Sequence, residues 1–309
     1  MAHIHTHHHT HKNPEYSKES RLLATTALNI VITIIEIIGG LVSNSLALLS
    51  DAIHNLGDTF AVFLAYLAHR VSNRDATEKK TFGYKRIEIL AAFLNAVVLI
   101  VITIFLFIAA YHRLLSPSPV KGIIMFVVAV AGLFANLLAV LILKKETHQN
   151  LNIRAAYLHM LGDTISSVAV IIGSAIIYFF KIYWIDPVIT VIIGLYIIKE
   201  AYSVLKETVD ILMQGTPTSI NLPIVVNELM KQKEIDNIHH VHSWKLDDKQ
   251  IHFECHADLI KDLPISETDL IRLEIEQMLK NKFGILHVTI QFEYNCCAEK
   301  SMIHPKRKH

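Results

Sequence analysis

The sequence predicts a membrane all-α bundle of six transmembrane helices followed by a small α+β, ferredoxin-like cytoplasmic domain of order αββαβ. Three observations carry that prediction. Hydrophobic residues make up 52% of the 309, and most fall before residue 214 in runs long enough to cross a hydrocarbon core of about 30 Å. Two of those runs carry the same ionisable pair, His-x-x-x-Asp: His54 with Asp58, and His159 with Asp163. Beyond residue 214 the apolar period changes from long runs to strict alternation, the signature of half-buried strands.

Composition narrows the function classes. The net charge is +1, which gives no reason to expect nucleic acid as a partner. The three cysteines, Cys255, Cys296 and Cys297, do not form an extracellular disulfide framework. Nineteen histidines against three cysteines point to borderline metals such as zinc. No cleavable signal peptide is expected, because the first 21 residues are polar and the first apolar run is too long for one. Residues 1–20 read as a disordered cytoplasmic tail, with six histidines in MAHIHTHHHTHKN. The interruptions by threonine favour a metal-collecting tail over an expression tag.

The expected spans are residues 22–42, 46–71, 87–111, 122–143, 155–180 and 183–212, within a membrane domain of 21–213. Lys199 and Glu200 interrupt the sixth and mark its exit toward a headgroup layer. Arg70, Arg74, Lys79, Lys80, Lys85 and Arg86 lie between spans 2 and 3, and Lys144, Lys145 and Arg154 between spans 4 and 5. The turn after span 1 has no basic residue and that after span 5 only Lys181. The positive-inside rule then puts both termini in the cytoplasm, in a multi-pass protein of the cell (inner) membrane.

Gln214–Pro217 reads as a linker into a soluble domain over 214–295, with a basic tail at 296–309. Residues 222–233 are expected to be helical and 238–246 a strand. In 250–259, Ile251, Phe253, Cys255 and Ala257 face one way, and His252, Glu254, His256 and Asp258 the other. A helix over 266–283 is expected to open at Ser266, with Asp269 at the capping-box spacing. The last strand, 286–293, turns Val288, Ile290 and Phe292 inward.

Each ionisable group at mid-membrane depth costs on the order of 3 kcal/mol on insertion scales, so two His-x-x-x-Asp pairs ask for a shared partner. Spacing of i, i+4 aims both members of a pair at one neighbouring helix. His54, Asp58, His159 and Asp163 together offer two nitrogens and two carboxylates, a set that suits tetrahedral Zn²⁺. Ala52, Gly57, Gly162 and Ser166 beside them would let the helices approach. The bland alternative is polar glue, the residues pairing with one another or with Asn29, Glu36, Asn95 and Asn136. Asp51 reads either as a support for the site or as a wet residue near the outer end.

These residues sit in a set of motifs: SLALLSDAIHNLGD (45–58), TFGYKRIEILAAFLNA (81–96), NIRAAYLHMLGDTISS (152–167), DP (186–187), ILMQGTP (211–217), VHSWKL (241–246) and HVTIQFE (287–293). In that order the chain resembles a cation diffusion facilitator, of the bacterial cobalt–zinc–cadmium resistance and zinc-efflux type. The resemblance implies a homodimeric exporter of divalent metal driven by inward proton movement. It puts His54, Asp58, His159 and Asp163 at the transport site, and it associates histidine at the first of these positions with zinc over cadmium. Further histidines that some relatives carry before span 3 are not matched here, where the chain reads KKTFGYKR. Proton coupling also follows from chemistry, since histidine must be neutral to hold metal and so metal and protons compete. Alternating access around a midplane site is expected by analogy.

The resemblance also implies a regulatory metal site in the soluble domain. His242, His256 and His287 lie on expected strands and are the candidates, with Cys296 and Cys297 near enough to add thiolates. Solvated surface histidines are the alternative. Trp244 and Cys255 read as packing residues, and His69, His112, His148, His239 and His240 are unassigned. An intramembrane metal hydrolase lacks its H-E-x-x-H motif, so no enzyme is expected. A membrane-anchored metal sensor would need no buried charge. Transport of Cd²⁺, Co²⁺, Ni²⁺ or Mn²⁺ in place of Zn²⁺ remains open.

Overall fold

The computed structural model describes residues 14–144, 151–247, 250–295 and 301–303, and their side chains except those of 14–25, 139, 142–144 and 151–160. The histidine-rich segment 1–13, Cys296 and Cys297 lie outside the described residues. Six long helices come first: α1 (Pro14–Ser43), α2 (Leu46–Ser72), α3 (Ile87–Leu115), α4 (Gly122–Lys144), α5 (Leu151–Phe180) and α6 (Ile185–Leu212). They are followed by α7 (Leu222–Leu229), β1 (Ile235–Lys245), β2 (Ile251–Leu259), α8 (Ile265–Phe283) and β3 (His287–Glu293). The chain divides into two compact units, residues 1–63 with 95–202, and residues 64–94 with 203–309.

In the first unit α4 packs against α1 and α5. One apolar core joins Ala47 and Leu48 of α2, Met125 and Ala129 of α4, Val170 and Ile177 of α5, and Ile189, Ile193 and Ile197 of α6. Polarity is inverted relative to a water-soluble bundle. Ile34, Leu41, Phe105, Phe134, Ile165 and Ile192 are exposed, while Asn29, Glu36, Asp51, Asn55, Asn136, Asp163 and Asp186 are buried. Such a surface is at rest in lipid, and its buried polar groups are expected to carry function.

Among the described residues, four stretches are long and apolar enough to cross a membrane: Thr26–Ser43, Ile87–Leu115, Leu161–Phe180 and Ile185–Leu212. The described apolar stretch of α4, Gly122–Leu138, is shorter. α2 does not qualify, because Asp51, His54 and Asp58 interrupt its apolar run.

The turn from α1 to α2 is set by Asn44, whose φ of 60° is one that asparagine tolerates better than most residues. The N-terminus of α2 is then capped from a distance. Asp186, at the start of α6, accepts from the backbone N–H of Leu46 at 2.9 Å and of Ala47 at 3.2 Å, and from the Ser45 hydroxyl. Arg113 of α3 approaches the same carboxylate at 3.4 Å and donates to Asn44 Oδ1 at 2.8 Å. The DP pair is thus the anchor of α2.

In the second unit the sheet order is β1-β2-β3, with β1–β2 antiparallel and β2–β3 parallel. The parallel pair needs a crossover, which α8 supplies. Ile251, Phe253, Cys255 and Ala257 join Val225 and Leu229 of α7 and Ile271, Ile275 and Leu279 of α8 in a separate core, with Val288, Ile290 and Phe292 packed against it. The inward faces expected of β2 and β3 are the ones observed. Three local expectations need correction. α8 begins at Ile265 behind Pro264, with no side-chain cap, so Ser266 lies in its first turn and the capping box is absent. α7 ends at Leu229, and β1 begins three residues earlier than expected and is bulged between His239 and His242.

Candidate metal centre

α2 and α5 bring the first three candidate ligands together. His54 Nε2 lies 3.8 Å from Asp58 Oδ2, one turn along α2, and 3.3 Å from Asp163 Oδ1 of α5. One ligand atom from each residue lies within 4.8 Å of the others. A tetrahedral zinc ion with bonds of about 2.1 Å keeps its ligand atoms roughly 3.4 Å apart, so the observed spacing is already close to what the ion requires. His54 and Asp163 are 3% and 1% exposed. His159 falls one turn before Asp163 on α5; its side chain lies outside the described ones.

The surroundings hold α2 on two sides. Ser166 of α5 donates to Asp51, and Ser167 lies 3.5 Å from the other carboxylate oxygen. Asn136 of α4 reaches Ser167 Oγ at 3.4 Å. Asn55, next to His54, donates to Glu36 of α1 at 2.9 Å. A Cβ at Gly132 of α4 would stand 2.5 Å from Glu36 Oε1, so only glycine leaves room for that carboxylate. Tyr196 of α6 meets the His54 ring edge-on at 5.8 Å.

The small residues act differently from expectation. A Cβ on Gly57 would meet Leu99 of α3 at 2.4 Å, and one on Gly162 would meet the Tyr196 hydroxyl at 3.0 Å. They admit α3 and α6, whereas Ser166 joins α2 to α5 through its hydroxyl. Glu36, Asn55 and Tyr196 were not marked as site residues in the sequence. Glu36 carried the one available signal, a carboxylate inside an apolar run.

On the soluble domain, the three strands place two clusters at opposite ends of one sheet face. At one end His239 of β1 sits opposite His256 of β2. His256 Nδ1 is 2.8 Å from Glu293 Oε1, and His239 Nε2 is 3.5 Å from Glu293 Oε2. One ligand atom from each of the three lies within 4.8 Å of the others. At the other end Trp244 stacks on His252 with ring centroids 5.3 Å apart, and the His287 ring lies tilted against His252 at 4.5 Å. There burial, and then the neighbouring His287, hold the His252 ring below the usual histidine range. Burial pushes the Cys255 thiol up to about 12, in keeping with a core residue.

The candidates His242, His256 and His287 are therefore not gathered in one chain. His287 pairs with His252, four residues from His256, or about 13 Å along the strand. His242 is exposed and packs on His240. Two features account for this: the bulge in β1, with His240 at φ 51°, leaves His239 rather than His242 opposite His256, and the parallel register of β3 sets His287 beside His252.

Comparison with known proteins agrees with this architecture. A family model for the cation efflux transmembrane domain matches residues 22–213, and one for the cation efflux protein cytoplasmic domain matches residues 217–295. The chain is 38% identical to the zinc transporter ZitB of Escherichia coli over 299 residues, 96% of this chain and 94% of that protein. It is 38% identical over 285 residues to the cadmium, cobalt and zinc/H(+)-K(+) antiporter of Bacillus subtilis, covering 92% and 91% of the two. Against the metal cation efflux system protein CzcD of Cupriavidus metallidurans it is 37% identical over 291 residues, covering 94% and 91%.

Proposed function

The chain belongs to the cation efflux family, the cation diffusion facilitators, and on that footing we propose that it exports Zn²⁺ from the cytoplasm in exchange for protons. It is an integral membrane protein; six spans, cytoplasmic termini and a homodimer held by the soluble domains complete the reading. One observation carries it: His54, Asp58 and Asp163 converge inside an apolar bundle at spacings that fit a divalent ion. His159 is the fourth ligand in this reading. Two carboxylates offset the charge of the ion, and neutral histidines supply its nitrogens. When protons take the site the histidines no longer bind metal, so a site that opens alternately to each side exchanges one for the other.

The test is uptake into proteoliposomes under a pH gradient, metal by metal. Zinc should accumulate with the gradient and stop when it is collapsed; zinc movement indifferent to the gradient would remove the antiport. The printed name of the Bacillus subtilis relative favours a second reading in which cadmium and cobalt share the path, and the same assay separates the two.

A second zinc site in the soluble domain is assigned in this reading to His239, His256 and Glu293, as a regulator that tightens the dimer. Coupling of this kind is typically worth about 1–3 kcal/mol. The domain has its own core, so the fragment 215–299 is a fair sample. Sedimentation should show tighter dimers with zinc than with chelator, and His239→Ala should erase the difference. Equal dimerisation in both conditions would leave these residues without a regulatory role.

A further inference from the structure

Between α2 and α3 the chain forms a run of tight turns. Thr77 and Lys80 exchange backbone hydrogen bonds at 3.1 and 2.9 Å. Gly83 N–H bonds Lys80 C=O at 2.8 Å, with Gly83 at φ 69°. These turns wall a cavity of about 470 Å³ that is also lined by Trp244 and Leu246 of the soluble domain. Among the described residues its charged lining is Lys79, Lys80, Lys85 and Arg86, with no carboxylate. Among the described residues none of the four forms an ion pair, whereas Lys231, Lys282 and Arg272 of the same unit all do. Lys80 sits 4.3 Å above the Tyr84 ring, which supplies no counter-charge. The Arg86 Nε is buried and has no hydrogen-bond partner. An adjoining cavity adds Arg74 and Asp75, one charge of each sign.

Topology alone accounts for basic residues in a cytoplasmic loop. It does not account for four of them being drawn around one cavity and left unpaired, since like charges held together repel unless an anion joins them. The same cavity reaches Ile87 and Leu90, the first turn of α3, and Leu90 and Leu94 are 48% and 54% exposed. A binding place that is cationic at one end and opens onto an apolar helix face at the other matches a phospholipid better than a free anion. We infer that this cavity seats the anionic head-group phosphate of a membrane phospholipid, with its acyl chains along the exposed leucines of α3. The inference rests on α3 crossing the membrane and not on the metal reading; its test measures lipid, not transport, so either can fail alone.

Full-length protein in mild detergent is loaded with equal amounts of phosphatidylglycerol and phosphatidylcholine, washed, and the retained lipid counted per chain. Phosphatidylglycerol should be retained in preference. Lys80→Gln with Lys85→Gln should lose it, by about fivefold in affinity for each charge removed, while Lys80→Arg with Lys85→Arg should keep it. Lys231→Gln with Lys282→Gln removes equal charge elsewhere and should also keep it. Equal loss in both glutamine variants would reduce the effect to general attraction and overturn the site, as would displacement of the lipid by excess inorganic phosphate. A measurement without charge variants uses Trp184→Phe, which leaves Trp244 as the single tryptophan. Its emission should shift with phosphatidylglycerol and not with phosphatidylcholine or inorganic phosphate; no shift with phosphatidylglycerol sinks the inference.

Discussion

Ser166 of α5 donates a hydrogen bond to the buried carboxylate of Asp51 on α2, three residues before His54 and three after Asp163. The bond ties together the two helices that carry the candidate ligands, one turn from where those ligands meet. In the proposed site Asp51 therefore acts as a positioning residue. A hydrogen bond to a charged group is worth about 1.5–3 kcal/mol, so Ser166→Ala should raise the zinc concentration for half-maximal transport by at least about tenfold. The maximal rate should change much less. Zinc titration of proteoliposome uptake measures both, and an unchanged half-maximal concentration would detach Asp51 from the site.

Asp58→Ala or Asp163→Ala removes a charge-neutralising ligand from the proposed cage. Each should abolish zinc transport while leaving the protein inserted and folded, as judged by gel filtration in detergent. Normal zinc movement by either variant would refute the four-ligand reading.

His54→Asp keeps four ligands and exchanges a borderline nitrogen for a third carboxylate oxygen. The ratio of cadmium to zinc uptake should rise, through relaxed geometry rather than added softness. Competition uptake with both metals present gives the ratio directly, and a constant ratio would remove His54 from selectivity.

Asp186→Ala strips the cap from α2 and leaves the Leu46 and Ala47 N–H groups buried without their acceptor. Each such group costs about 1–3 kcal/mol. The thermal unfolding temperature should therefore fall more than for either ligand variant, although Asp186 touches no ligand. A variant as stable as the parent would mean that the Asp186 cap contributes nothing to the stability of α2.

The soluble domain should lose stability in mild acid. His252 is held below the usual histidine range by burial and by His287, so the unfolded chain binds the proton first. Stability from this group is intact above the ordinary histidine value of about 6.5 and falls as pH drops below it toward the lower folded value. Urea unfolding of fragment 215–299 from pH 7.5 to 5.5 should show the decline, and His252→Gln should flatten it. The same slope in the variant would assign the titration to another residue.

The sequence alone was enough for most features that depend on an unbroken period within one element. Apolar runs located six helices to within a few residues, because the hydrocarbon length and the helical rise leave little choice; the exception is α1, which begins at Pro14, eight residues before the expected start and inside the stretch expected to be disordered. The i, i+4 spacing put His54 with Asp58, and strand alternation identified Ile251, Phe253, Cys255 and Ala257 as core. What a period cannot encode is which element lies beside which. The 3.3 Å approach of His54 to Asp163, the Glu36–Asn55 bond across α1 and α2, and the capping of α2 by Asp186 each join residues far apart in the chain. Those partners are selected by packing, where glycines such as Gly132 decide how near two helices come. The soluble domain adds the other limit. A bulge at His239–His242 shifts the face of a strand without altering its composition, so only the folded sheet could replace His242 and His287 with His239 and Glu293 as the neighbours of His256.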